Sequence, residues 1–145
     1  MIQPHGGTLV NKDLPEIEKK KILGEINEFE KIKITPETIK VIKNIAFGVF
    51  SPLEGFMNEN DTLNVLEHMY LEKNVAWPFP VTLDVSMADL KNINVEDQVI
   101  LTNLSDDPIA LLKIEDIYNY NKKEFAQKIF GTIDPKHPGV AKLFS

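Results

Sequence analysis

A chain of 145 residues with 43% hydrophobic content is long enough to bury the core of one domain without disulfides or a structural metal. Its formal net charge is −6 and all 16 cationic side chains are lysines, which argues against a nucleic-acid partner and leaves phosphate or sulfate to be gripped without the guanidinium fork. Zero cysteines exclude disulfides, thiolate zinc sites and cysteine catalysis, and the absence of any apolar run of about 18 residues or of a basic, then apolar, start argues against a membrane partner and sets the expectation of a cytoplasmic protein.

Along the chain, Asp13-Leu-Pro-Glu16 has the form of a helix start, with Asp13 as the cap, and a helix to about Asn27 follows. Ile22, Ile26 and Phe29 recur at helical spacing, whereas Glu18 to Lys21 form a polar run that reads as a solvated face. Lys31-Ile-Lys-Ile34 alternates with period two and predicts a short strand. Thr35-Pro36 then caps a helix lined by Ile39, Ile42 and Ala46, which Gly48 ends. Asn60-Asp61 opens another helix, through about Glu72, with Leu63, Leu66 and Tyr70 as its apolar stripe.

Strands dominate the next stretch. Val81-Thr-Leu-Asp-Val85 alternates, Val99 to Leu104 is apolar enough for a buried strand, and Asn103 to Pro108 supplies the turn into Ile109 to Tyr118, closing a hairpin. Asn121 caps a final helix with Glu124 at the reciprocal position, Phe125 and Ile129 facing inward, and Gly131 where a helix C-terminus favours a left-handed residue. These elements predict an α+β domain whose small sheet curls into a barrel.

Little in this pattern carries chemistry. The histidines, His5, His68 and His137, share no metal-ligand spacing; His68 falls on a helix surface, while His5 and His137 lie in Gly/Pro-containing loops suited to fixing a turn or meeting a neighbouring domain. Asp106 and Asp107 precede Pro108 in a turn that explains them without a reaction. Gly6-Gly7 lacks the spacing and the preceding strand of a phosphate loop. Trp77-Pro-Phe-Pro80 reads as an extended entry to the sheet with Trp77 as an anchor, and as a ligand platform only secondarily. No residue is assigned a catalytic, cofactor-binding or metal-binding role.

The most distinctive segment, Gly48-Val-Phe-Ser-Pro-Leu-Glu-Gly-Phe-Met57, mixes turn residues with large apolar ones and holds no His, Cys, Lys or Arg. Ser51 before Pro52 lacks the Gly-x-Ser-x-Gly spacing of a nucleophile elbow. The expected reading is architectural: Ser51-Pro52 as a rigid extended turn, Gly55 allowing close backbone approach, and Phe50, Leu53, Phe56 and Met57 as packing anchors.

Four blocks together, Ile2-Gln-Pro-His-Gly-Gly-Thr-Leu-Val-Asn11, Gly48 to Met57, Trp77 to Val85 and Gly131-Thr-Ile-Asp-Pro-Lys-His-Pro-Gly-Val140, resemble the N-terminal region of ATP sulfurylases, the sulfate adenylyltransferases, of bacterial and archaeal type. The resemblance covers nearly the whole chain. It implies a PUA-like pseudo-β-barrel decorated with helices over residues 1–145, leading in the family into a catalytic nucleotidyltransferase domain that is not present in this chain. The complete enzyme joins sulfate to the α-phosphate of MgATP, releasing pyrophosphate and forming adenosine 5′-phosphosulfate. Its chemistry belongs to a Gln-x-Arg-Asn-Pro segment and a nearby His-x-x-His pair, neither of which occurs before Ser145. The resemblance therefore implies a non-catalytic domain without its own cofactor, partnered by the catalytic domain and by homo-oligomer contacts. The competing reading is a free-standing PUA-like binding module for RNA or protein.

Overall fold

The computed structural model describes residues 2–145, which form five α-helices, a three-stranded sheet and two short 3₁₀ turns. Their contacts fall into two compact units. The first takes the chain up to Phe56 and then Leu83–Ile117; the second takes Met57–Thr82 and Tyr118–Ser145.

In the first unit the alternation in β1 (Glu30–Lys33) has its expected result: Ile32 and Ile34 are buried while Lys31 and Lys33 face solvent. β1 pairs in parallel with β2 (Gln98–Thr102), which pairs antiparallel with β3 (Pro108–Lys113), giving the order β1-β2-β3. β2 is central, so its run Val99-Ile-Leu-Thr102 is buried on both faces, each residue 2% exposed or less. Val99 and Leu101 meet Ile32, Ile34, Ile93 and Ile114 in one apolar cluster, where each large aliphatic side chain contributes about 1.5–3 kcal/mol by burial.

The turn between β2 and β3 is organised by Asn103, whose Oδ1 accepts from the amides of Ser105 and Asp107. Asp107 takes a bond from the Asn103 amide group at 2.9 Å, and Asp106, left-handed at φ 67°, pairs with Lys33 at 3.0 Å. The hairpin strands are shorter than the sequence suggests, stopping at Thr102 and Lys113.

Three further expectations for this unit are corrected. α1 (Glu16–Gly24) begins after Pro15, with no side-chain cap; Asp13 lies outside the helix and pairs with Lys19 instead, at 3.1 Å. It stops at Gly24 and buries no residue fully; Ile22 is half-buried on it, while Ile26 and Phe29, also half-buried, lie beyond its end. The Val81 to Val85 stretch joins no ladder; alternation there reflects Leu83 and Val85 packing on the apolar cluster from an extended loop. By contrast, α2 (Pro36–Ala46) starts as read, with Thr35 Oγ1 accepting from the Thr38 amide and Pro36 at the first turn.

One flaw sits in this core. Thr102 is 1% exposed and its Oγ1 has no hydrogen-bond partner among the described residues. Because an unsatisfied buried hydroxyl costs about 1–3 kcal/mol, Thr102→Val is expected to raise stability by about 1 kcal/mol, read as a higher urea midpoint at unchanged m. A fall in the midpoint would contradict the assignment.

The second unit contains α3 (Glu59–His68), α4 (Lys122–Phe130) and α5 (Pro138–Phe144). α3 starts slightly earlier and stops about a turn earlier than expected, because Asn58 is the cap and Met69 adopts the left-handed conformation at φ 57°. Its buried positions are Thr62 and Val65, whereas Leu63 is half exposed and Tyr70 lies beyond the helix. A threonine can occupy that inward face because Tyr118 partners it. The phenolic O–H donates to the Met57 carbonyl at 3.0 Å, so the Thr62 hydroxyl, 2.7 Å away, donates to the phenol oxygen. Tyr118→Phe strips both groups of that partner and is expected to cost about 1–3 kcal/mol, with the loss smaller in a Thr62→Val background, where only the Met57 carbonyl still loses its donor.

Trp77 is buried at 6% and its amide bonds to the Met69 carbonyl, closing a small loop bridged at Tyr70 and Ala76, so it anchors the core of this unit. Asn121 Oδ1 caps α4 through the amides of Lys123 and Glu124, and Gly131 ends it at φ 66°, both as read. Ala126, not Phe125 or Ile129, is the fully buried residue there. α5 was not expected from the pattern: His137 Nδ1 caps it by accepting from the Gly139 amide at 3.2 Å, Pro138 takes the first turn, and Val140 is 1% exposed.

Candidate docking surface

The first and second sequence blocks, more than 40 residues apart, meet in the first unit around one side chain. Ser51 is 4% exposed; its Oγ accepts from the Val10 amide at 3.0 Å and donates to the Gly48 carbonyl at 2.7 Å. A backbone bond from the Lys12 amide to Ala46, at 2.8 Å, and an ion pair between Lys12 and Glu54, at 3.3 Å, continue the seam. Gly6 lies against the Pro52 ring, whose Cγ is 2.7 Å from the place a Cβ would take. The two blocks thus form one knot, with the two bonds through Ser51 at its buried centre.

Within it Gly48 is obligatory on two counts. It holds φ +81°, and a Cβ there would stand 2.5 Å from the Val10 carbonyl oxygen. α2 ends at Ala46 with Phe47 as its cap, and Gly48 takes the left-handed position just beyond, as read, so one glycine serves both the helix terminus and the knot. The Ser51-Pro52 bond is cis and sits in a turn, not in an extended segment. Gly55 has no atom within 4 Å of a would-be Cβ, so close approach is not its role.

Of the expected anchors, Leu53 and Met57 are buried at 7% and 5%, Phe56 packs on the apolar cluster and Phe50 is half-buried. What sequence reading missed lies on the other side of the turn. Leu9, Phe47 and Val49 point outward at 69%, 61% and 69% exposure. The available signal was the placing of Phe47 and Val49 on either side of a glycine that has no freedom to move.

The three histidines fall in three different elements. His137 caps a helix and stacks on Phe130 at 5.0 Å, His68 ends α3 on the surface, and His5 lies in a 3₁₀ turn. Among the described residues no group of three or more His, Cys, Asp or Glu side chains is placed to hold a metal ion. The resolved shifts belong to surface ion pairs. The Glu96 carboxylate bonded to Lys113, and Asp13 followed by Glu16 bonded to Lys19, raise those amines above the usual 10.5. Such raised lysines add what little stability they have below the ordinary lysine range and lose it as pH climbs past their folded values. No helix among the described residues is long and apolar enough to cross a membrane.

The fold is α+β, and residues 2–145 match the PUA-like domain family, to which the chain belongs. More particularly, it corresponds to the N-terminal PUA-like domain of sulfate adenylyltransferases. It is 41% identical over 143 residues to the sulfate adenylyltransferase of Thermococcus onnurineus (strain NA1), covering 99% of this chain and 37% of that protein. It is 40% identical over 140 residues to that of Hyperthermus butylicus (strain DSM 5456 / JCM 9403 / PLM1-5), covering 97% and 36%. A solved structure described as a hexameric APS kinase from Thiobacillus denitrificans superposes with a TM-score of 0.72 at 25% identity, over 83% of this chain and 24% of that one. The chain therefore spans little more than a third of the length of the curated relatives it matches.

Proposed function

We propose that the chain is the non-catalytic N-terminal domain of a sulfate adenylyltransferase, the enzyme that converts MgATP and sulfate to adenosine 5′-phosphosulfate and pyrophosphate, and that its partner is the catalytic nucleotidyltransferase region of that enzyme in the cytoplasm. The observation that carries this reading is the match itself: it runs almost end to end in this chain while using only 37% of the Thermococcus relative. The residue inventory points the same way. Stabilising a phosphoryl-transfer transition state calls for preorganised donors around the developing charge, and this chain brings no arginine and three well-separated histidines.

In the same reading the three-stranded sheet, with Leu83 and Val85 packed beside it, belongs to a PUA-like pseudo-barrel. Similarity to a protein described as hexameric supports including homo-oligomer contacts. The test is an ATP- and sulfate-dependent pyrophosphate release assay on the purified chain, for which background rates are expected. Robust turnover would overturn the proposal. Salt-sensitive RNA binding near micromolar affinity would instead favour the free-standing binding module.

A further inference from the structure

Scattered exposed apolar side chains are ordinary on protein surfaces; the three around Gly48 are not scattered. Leu9 Cδ1 lies 2.8 Å from the place a Gly48 Cβ would take, and Phe47 and Val49 are the neighbours of that glycine in the chain. Turn tips ordinarily carry polar residues that satisfy local backbone groups. Here the backbone is satisfied from inside, by Ser51 and by the bond from the Gly48 amide to Ile45, which leaves the outer face free to be apolar. Because buried hydrogen bonds hold the turn, presenting this face to a partner requires little further loop ordering, which lowers one of the entropic costs of association.

We propose that Leu9, Phe47 and Val49 form the surface on which the catalytic region of a sulfate adenylyltransferase seats, a proposal that rests on the function given above. The occupant follows from length and charge. Nearly two thirds of each matched relative lies beyond the region this chain covers, so a large body of protein accompanies this domain in them. At this surface a second copy is the poorer fit, since each chain carries a net charge of −6; the homo-oligomer contacts proposed above are assigned to no surface of this chain. The apolar trio flanked by the Lys12–Glu54 pair has the make-up of an interface core with a polar rim.

The lack of native cysteines makes a thiol footprint clean. Phe47→Cys and Val49→Cys, each alone, are compared with Met87→Cys, a 76% exposed position in the same unit. In the isolated chain all three thiols are expected to react with a maleimide at similar rates. When the chain replaces the matching segment of the Thermococcus onnurineus enzyme, the thiols at 47 and 49 are expected to slow at least tenfold while that at 87 does not change. Equal rates at all three positions in a folded fusion overturn the proposal. So does slowing that appears in the isolated chain and grows with its concentration, which marks a second copy as the occupant. Should the graft fail to fold, hydroxyl-radical footprinting of the intact Thermococcus enzyme reads the same surface: oxidation at the residues aligned with 9, 47 and 49 is expected well below that at the residue aligned with 87, and parity overturns it. Labelling rates do not depend on turnover, so this result and the pyrophosphate assay fail independently.

Discussion

Gly48→Ala is expected to lower stability by about 2–5 kcal/mol, from a left-handed penalty of roughly 1–2 kcal/mol and an overpacking cost of roughly 1–3 kcal/mol. The added methyl would stand 2.5 Å from the Val10 carbonyl oxygen and 2.8 Å from Leu9 Cδ1. Leu9 can rotate away, but the carbonyl belongs to backbone held by the Val10–Ser51 bond, so relief requires opening the knot. Against a total of about 5–15 kcal/mol for an ordinary domain, this is a large loss. Urea denaturation should show a lower midpoint with m unchanged. Gly55→Ala is the control. It has open space around the added atom and a backbone outside the left-handed range, so it should be neutral or slightly stabilising. Equal effects at the two glycines would show that Gly48 is not confined as described.

Ser51→Ala is expected to cost about 1–3 kcal/mol, because the lost oxygen leaves the buried Val10 amide without its acceptor while the Gly48 carbonyl keeps only the Ser51 amide, 3.2 Å away. The Val10 amide would lose its acceptor in a site where Val10 is 5% exposed, and the Gly48 carbonyl would lose the donor 2.7 Å away. The distinguishing readout is hydrogen exchange at the Val10 amide, which should accelerate more than amides of β2. Ser86→Ala supplies the contrast. Its hydroxyl also bonds, to Asp89, but in the open, where water replaces it, and the cost should stay below about 1 kcal/mol. A Ser51→Ala variant as stable as Ser86→Ala would mean the two blocks are joined by something other than this hydroxyl.

Local chemistry was legible in the sequence wherever a residue acts within a few positions of itself. Thr35, Asn121 and Gly131 cap helices as read, because capping is a bond between a side chain or a left-handed backbone and the adjacent turn. Ile32 and Ile34 turned inward because β1 has one buried face and a period of two. Asp13 failed as a cap although the spacing was right, since it is drawn to Lys19. The end of α3 failed for another reason: Met69 is left-handed without being Gly or Asn, and nothing in its type announces that.

The candidate surface was half legible. Composition and spacing by themselves determined that this is an α+β domain and that Gly48 to Met57 is built from turn residues and packing anchors, since those conclusions depend on which residue types are present and on short-range geometry. Only the tertiary structure decided that Ser51 would bond to Val10 across 41 residues, that Val81 to Val85 would pack without pairing, and that Leu9, Phe47 and Val49 would be left facing outward. The physical reason is that burial and hydrogen-bond satisfaction are properties of what surrounds a residue, and for these residues the surroundings come from distant parts of the chain.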